Sequence, residues 1–434
     1  MPHFPRMFRS IENRNYRLYF VGQSISVLGG WLQSVAQAWL VYRLTNSSLQ
    51  LGLVVFIGQA PLLFLSPLGG LIADRYSRRW VVTVTQTVSM LLTFVLAALM
   101  LAGHVQLWEI LVLAGLQGII SAADVPARQA LVSEIVESDN LLNAVALNSS
   151  IFSNASAVAP VVAGFLVAAI GEGWCFAING LTYLAVIGGV LLMRFEEQRQ
   201  NGAKQSALSS IREGFHFIHD TAPIRRIMAL LAAVSLLGAP FTVLMPIIGD
   251  KILQAGPRGL GFLMSANGVG SLIGSLLLAS RRVLTGLGRW IVFSSAGFGL
   301  SLVLFSLSCS FLLSLLILVP AGFCLFYEIT ASNTLVQAMS PQAMRGRAIG
   351  VLSMLILGVA PFGALLAGFL AERLGAVLTV ATGGLACVIG SLACLYDLPS
   401  LTVQARQLLL ANFRPAGIHA PDPQLMGARA RTGG

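Results

Sequence analysis

Glu328 lies well inside the apolar run 311–336, and Asp124 lies toward the end of the run 106–130. The runs around them carry amides and a phenol: Gln33 and Gln37 four residues apart, Gln117 seven residues before Asp124, and Tyr327 beside Glu328. On a helix, residues four or seven apart share a face, so Gln33 with Gln37 and Gln117 with Asp124 form polar stripes. Low dielectric disfavours the charged form of a carboxylate, and such a group suits proton carriage or the binding of a cationic substrate. A structural hydrogen bond or helix pairing competes with that reading. For Asp124, the nearby Arg128 also offers simple neutralisation.

Other chemistries lack their residues. The five histidines are scattered, no phosphate-cradling G-x-x-x-x-G-K-[ST] run occurs, and no Cys/His spacing suits a metal. Cys175, Cys309, Cys324, Cys387 and Cys394 lie within or beside apolar stretches and read as small buried hydrophobes. The expectation is a protein that is not an enzyme and holds neither cofactor nor metal.

The elements that must position these groups are apolar helices. Of 434 residues, 56% are hydrophobic and 10% charged, with a mean hydropathy of +0.81. A soluble domain carries about 25% charged residues, so the chain reads as an all-α polytopic membrane protein. Twelve spans are expected: 16–42, 48–73, 80–102, 106–130, 141–169 and 174–194, then 225–249, 259–280, 289–308, 311–336, 346–370 and 375–396. This gives a first half at 1–194, a linker at 195–224 with an amphipathic surface helix near 209–220, a second half at 225–397, and a disordered tail at 398–434. The first apolar stretch is too long for a signal peptide and reads as a retained span.

With both ends inside, 23 of the 27 Arg and Lys fall on the cytoplasmic face, leaving Arg43, Lys251, Arg258 and Arg373 outside. The net charge of +10 thus sits in turns between spans and argues for a bilayer, not for nucleic acid. The halves echo each other. LGLVVFIGQAPLLFLSPLGG from Leu51 matches LGFLMSANGVGSLIGSLLLA from Leu260, and AGFL recurs at 163–166 and 367–370, an offset that sets Asp124 opposite Glu328. Two six-span repeats imply a pseudo-symmetric transporter with its path between the halves.

The turn after the second span reads Gly70-Leu-Ile-Ala-Asp74-Arg75-Tyr-Ser77-Arg78-Arg79. It resembles the signature G-x-x-x-D-[RK]-x-G-[RK]-[RK] of the major facilitator superfamily, with Ser77 in place of glycine. Residues 13–48, 123–136 and 332–350 are similar to its bacterial drug- and siderophore-exporter branch. The resemblance implies the major facilitator fold, a bacterial inner-membrane location, alternating access, and secondary export of amphipathic drugs, macrolide-like compounds or siderophores, by proton antiport. It further implies that Asp74, within a latch formed with Gly70, Arg75, Arg78 and Arg79, holds one face against the other half, and that spans 1, 4, 7 and 10 line the cavity, where Gln33, Gln37, Gln117, Asp124, Tyr327 and Glu328 would converge, with Ser235 and Thr242 from span 7. Ala159-Pro160-Val-Val-Ala163-Gly164 resembles a degraded exporter motif, G-P-x-x-G-G, in which Pro160 and Gly164 would bend the helix. The alternatives are uptake of a metabolite or lysophospholipid by the same fold, and a non-transporting membrane receptor or assembly protein. No obligate protein partner is expected.

Overall fold

The structure is a computed structural model that describes residues 9–137, 140–194, 207–280 and 286–396. Residues 195–206 of the expected linker and the tail from 397 onward lie outside the described residues. Among those described there are helices and no strand.

After a short turn at Arg9–Glu12, the spans are Arg14–Thr45, Ser48–Arg75, Arg78–Leu101, Leu107–Ile135, Leu141–Ile170 and Glu172–Leu191, numbered 1 to 6. A surface helix, Ala207–Asp220, follows. Span 7 runs over Ala222–Ile252, spans 8 to 10 over Gly256–Ser280, Leu287–Leu307 and Phe311–Met339, span 11 over Gln342–Leu374, and span 12 over Ala376–Tyr396. Eleven of these are long and apolar enough to cross a bilayer. Span 1 has 32 residues but carries Gln23, Gln33 and Gln37, which lower its hydropathy below theirs. The expected bounds hold to within a few residues, and span 4 runs furthest beyond expectation.

Local sequence explains the tight turns. Asn13 accepts hydrogen bonds from the Asn15 and Tyr16 amides and so caps span 1. Asn46, at φ 53°, ends it. Ser47 caps span 2 through the Gln50 amide, and Ser77 caps span 3 through the Trp80 amide. The turn at Ser77 has φ −53°, which needs no glycine, so the departure from the family signature costs the backbone nothing.

The charged turn is anchored within the first six spans. Arg78 pairs with Glu134 of span 4 at 3.3 Å, and Arg79 donates to the Leu191 carbonyl of span 6 at 2.6 Å. Arg75 is exposed, and the side chain of Asp74 lies outside what is described. Gly69 makes the close approach here, because a β-carbon on it would overlap the Ala122 carbonyl of span 4. Gly70 faces open space.

Both described chain ends, the 76–77 turn and the surface helix share one side of the bundle, here the termini side; the turns at 46–47, 171 and 375 mark the far side. Buried apolar residues on the far side form one cluster drawn from both sets of six spans, including Leu40, Leu51, Leu244, Leu263, Ala367 and Ala371. Toward the termini side this core divides. One cluster holds Tyr16, Val82, Leu131 and Val190, all from the first six spans; another holds Ile224, Leu231, Leu335 and Val351, all from the last six. Close packing holds helices together in a bilayer, so the two sets are joined on the far side and parted on the other.

Two glycine crossings make the join. Span 5 meets span 8 where a β-carbon on Gly164 would stand 2.6 Å from the Pro257 carbonyl and one on Gly261 would overlap the Pro160 carbonyl. Span 11 meets span 2 in the same way, with Gly368 against the Ser48 carbonyl and Gly52 against the Ala364 carbonyl. The repeated AGFL and LG segments are therefore the two sides of each crossing. Only backbone approach of this kind requires glycine on both helices. Edge-to-face ring pairs flank the crossings, Phe165 with Phe262 and Phe56 with Phe362. The Val161 amide also donates to Ser265 at 3.1 Å, and the Arg258 guanidinium lies over the Phe165 ring. Span 5 runs as one helix from Leu141 to Ile170, with Pro160 and Gly164 seated in the crossing. The interruptions fall elsewhere, as π turns at Val234–Gly238 and Ile248–Ile252 of span 7 and Met354–Gly358 of span 11.

Candidate functional site: an amide-lined cavity between the two sets of spans

A cavity of about 640 Å³ opens where the two sets part. Its polar wall comes mostly from the first six spans: Gln33 and Gln37 of span 1, Gln59 of span 2, Gln117 of span 4, and Asn179 and Tyr183 of span 6. The last six contribute Thr242, Asn267 and Phe326 among others. A vestibule of about 340 Å³ continues from it, sharing Trp31, Gln117 and Tyr183 and adding Gln23, Gln86, Asp124, Arg128 and Phe152.

The amides are partly tied. Gln33 Oε1 accepts from Asn179 Nδ2 at 2.5 Å and from the Thr93 hydroxyl at 3.3 Å, linking spans 1, 3 and 6. Gln117 Nε2 donates to Ser89 at 3.0 Å. Asn267 Oδ1 and Gln23 Oε1 are buried without a hydrogen-bond partner. In a water-poor wall such groups are costly unless something arrives to satisfy them. An amide both donates and accepts, so this wall suits ligands rich in oxygen and nitrogen without demanding one charge.

Asp124 is held firmly. Its Oδ1 accepts from Thr85 at 2.7 Å and Gln86 Nε2 at 3.0 Å, and its Oδ2 lies 2.7 Å from Arg128 Nε. Neutralisation by Arg128, one of the readings open from sequence, is what the geometry has.

Tyr327 and Glu328 do not join the cavity. Tyr327 is buried between the rings of Phe323 and Trp290, at 5.8 and 6.2 Å between centroids. Glu328 is 0% exposed, with Ser295 of span 9, Cys324 of span 10 and Cys387 of span 12 beside it. Neither carboxyl oxygen has a hydrogen bond of normal geometry. The cause is register. Phe326 takes the cavity wall, and at ~100° per residue position 328 points to the opposite side of span 10. Repeat equivalence misled here as well, since Asp124 has an arginine one turn on and Glu328 has Ser332. Ser235 is likewise buried in the π turn of span 7, whereas Thr242 reaches the wall.

The residues that sequence reasoning missed are Gln59, Gln86, Asn179, Tyr183 and Asn267. Each is a polar group inside an apolar window, which was the available signal. They sit on spans 2, 3, 6 and 8, outside the four spans the family pattern assigns to the cavity.

On the far side, two polar contacts bind the sets together. The Tyr42 hydroxyl of span 1 donates to Asp250 Oδ2 of span 7 at 2.8 Å. Glu372 Oε2, near the end of span 11, accepts from the Ser47 and Ser48 hydroxyls and the Ser48 amide at 3.0 Å each, and from the Leu49 amide at 3.3 Å. A carboxylate from one set thus caps the first turn of span 2 in the other, where unpaired amides and the helix dipole favour negative charge.

Comparison with known proteins places this architecture. The family model described as transmembrane secretion effector matches residues 7–415. The staphyloferrin A transporter of Staphylococcus aureus is 24% identical over 378 residues, covering 86% of this chain and 93% of that protein. The enterobactin exporter EntS of Shigella boydii is 25% identical over 375 residues, covering 86% and 89%. Among solved structures, the nucleoside transporter NupG superposes with a TM-score of 0.65 at 13% identity, covering 91% of this chain and 98% of that one. A bacterial homologue of the human lysosomal transporter Spinster, inward-facing and occupied, gives 0.66 at 13% identity over 95% and 100%.

Proposed function

Since the chain belongs to the transmembrane secretion effector family of the major facilitator superfamily, and is therefore a multi-pass membrane transporter, we propose that it exports small oxygen-rich molecules of the siderophore class from the bacterial cytoplasm. The observation that carries this reading is the amide-lined cavity, sealed on the far side by glycine crossings and polar caps and parted toward the termini side. With the termini side cytoplasmic, as the placement of basic residues supports, the cavity stands ready to load from inside. The units at 1–194 and 225–397 then rock about the crossings to present it outside. Two curated relatives named for siderophores support the substrate class.

Cells that synthesise a catecholate or a citrate-based siderophore, but lack their own exporters, should secrete one of the two when this protein is supplied. Retention of both inside, with the protein present in the inner membrane, would reject the substrate class. In the same cells, with the five native cysteines replaced by alanine because Cys309 is exposed on the far side, an impermeant thiol reagent should label Asn46→Cys and spare Tyr76→Cys; the reverse pattern would invert the orientation.

Proton antiport completes the proposal, and Glu328 is its carrier. No basic residue pairs with this carboxyl among the described residues, and an unpaired intramembrane acid is expensive to keep without a use. Because Glu328 points away from the cavity on the opposite side of span 10, proton and substrate do not compete for one pocket. Coupling must instead pass through the packing of spans 9, 10 and 12. Glu328→Gln should insert and melt like wild type, retain substrate exchange at equilibrium, and lose export driven by a pH gradient in proteoliposomes. Wild-type coupling in that variant would remove Glu328 from the mechanism.

A further inference from the structure

Asp124 and Arg128 are the only charged residues among those lining the cavity and its vestibule. Their pairing is one-sided. Asp124 Oδ2 lies 2.7 Å from Arg128 Nε as an ion pair, although Nε makes no hydrogen bond of normal geometry, and the other carboxylate oxygen is held by Thr85 and Gln86. The two terminal nitrogens of Arg128 make no hydrogen bond to the protein among the described residues. The Arg128 side chain is 22% exposed and lines the vestibule.

A guanidinium whose ion-pair contact is at Nε keeps its Nη1–Nη2 edge as a planar fork with two parallel N–H donors. That fork matches two oxygens on one anionic group, as in a carboxylate, a catecholate or an ortho-hydroxybenzoate. Trp31 and Phe152 also line the vestibule and supply aromatic surface for a ring carrying those oxygens, and Gln23 Oε1 and Gln86 Oε1 are buried acceptors without a hydrogen-bond partner.

The geometry points to Arg128 as an anion-reading subsite of the vestibule, held in place by Asp124 and specific for paired anionic oxygens on the incoming substrate. This rests on the export reading above, because a wall on the termini side loads substrate only if that side is cytoplasmic. It adds what the amide wall cannot supply. Gln33, Gln37 and Gln117 accept many polar groups alike, whereas the fork selects for charge and for the spacing of two oxygens. It also assigns Asp124 a positioning role: the acid orients the arginine and does not touch the ligand.

Equilibrium dialysis of the full-length protein in nanodiscs provides the test, with 2,3-dihydroxybenzoate and citrate as anionic probes and 2,3-dimethoxybenzamide as the neutral one. Wild type should prefer at least one anion by about 10- to 100-fold, the range expected for a charge-assisted pair. Arg128→Gln should erase the preference, and Arg128→Lys should leave a small part of it, since the charge survives without the fork. Asp124→Asn keeps the arginine and should keep most of the preference. Arg128→Gln leaves a buried acid unpaired and could fail to fold, so the double variant Asp124→Asn/Arg128→Gln removes both charges together; it should melt like wild type and still lack the preference.

An undiminished preference in the folded double variant would overturn the subsite, as would a wild type that binds all three probes alike. A clear anion preference in a protein that secretes no siderophore from cells would keep the subsite and reject the export reading. Secretion that survives loss of Arg128 would do the opposite.

Discussion

Gly261→Leu should reduce export by roughly 10- to 100-fold, because overpacking of about 1–3 kcal/mol falls on the contact that closes the far side. The atoms that a side chain would meet there are the Pro160 carbonyl and the Gly164 backbone, which cannot rotate away as a flexible side chain would. Gly368→Leu should behave alike at the symmetric crossing, where Ser48 and Gly52 stand in the way. Gly261→Ala adds only a β-carbon and should be milder. Transport in proteoliposomes, read beside expression and thermal melting, checks the series. Gly188→Leu is the control, because no atom lies within 4 Å of its added β-carbon. Export at wild-type rate in a well-folded Gly261→Leu protein would mean that the crossing is ordinary packing and not the seal.

The second large effect is expected from the polar caps. Glu372→Gln combined with Tyr42→Phe removes a charge-assisted helix cap and a cross-bundle hydrogen bond, while leaving the glycine crossings intact. Each loss is worth about 0.5–2 kcal/mol at a partly exposed site, so their sum moves the balance between the two openings by about tenfold or more. The far side should open more often. With the native cysteines, exposed Cys309 among them, replaced by alanine, an impermeant reagent applied from outside should then label Gln37→Cys, on the cavity wall, about tenfold faster in the double variant. Equal labelling rates would show that the caps decorate a closure held by other forces.

Much of this molecule could be read from its residues. Hydropathy marked the spans, because a bilayer of fixed thickness enforces a length that composition then reveals. The AGFL and LG repeats were visible too, but their meaning was not. Sequence shows that Gly164 and Gly368 correspond; only the fold shows that each faces the partner repeat at Gly261 and Gly52. Gln33, Gln37 and Gln117 line the cavity, and each of the first two shares its helix face with the other. Tyr327 and Glu328 do not line it, since spacing within one span fixes which residues share a face and leaves open where that face points. Arg78 and Arg79 stand in the family signature, and only the fold shows that they tie span 3 to spans 4 and 6. Glu372 gave no signal at all, because a cap supplied from a distant helix leaves no pattern near the turn it caps.

The placement of the crossings has a mechanical consequence. Along span 5, Gly164 stands about 9 Å from the far-side end at Ile170 and about 28 Å from Val145 near the other end, at ~1.5 Å of rise per residue. The bundle is a lever with an off-centre fulcrum. A tilt of about ten degrees there swings the long arm by about 5 Å and the short arm by under 2 Å, by the same rise. One pivot at Gly164 can therefore widen the termini-side mouth generously and move the far side little. Spans 5 and 8 also approach closely where Gly268 faces the Ser156 carbonyl, about 12 Å nearer the termini side, and a tilt about that point would lengthen the far-side arm at the expense of the other.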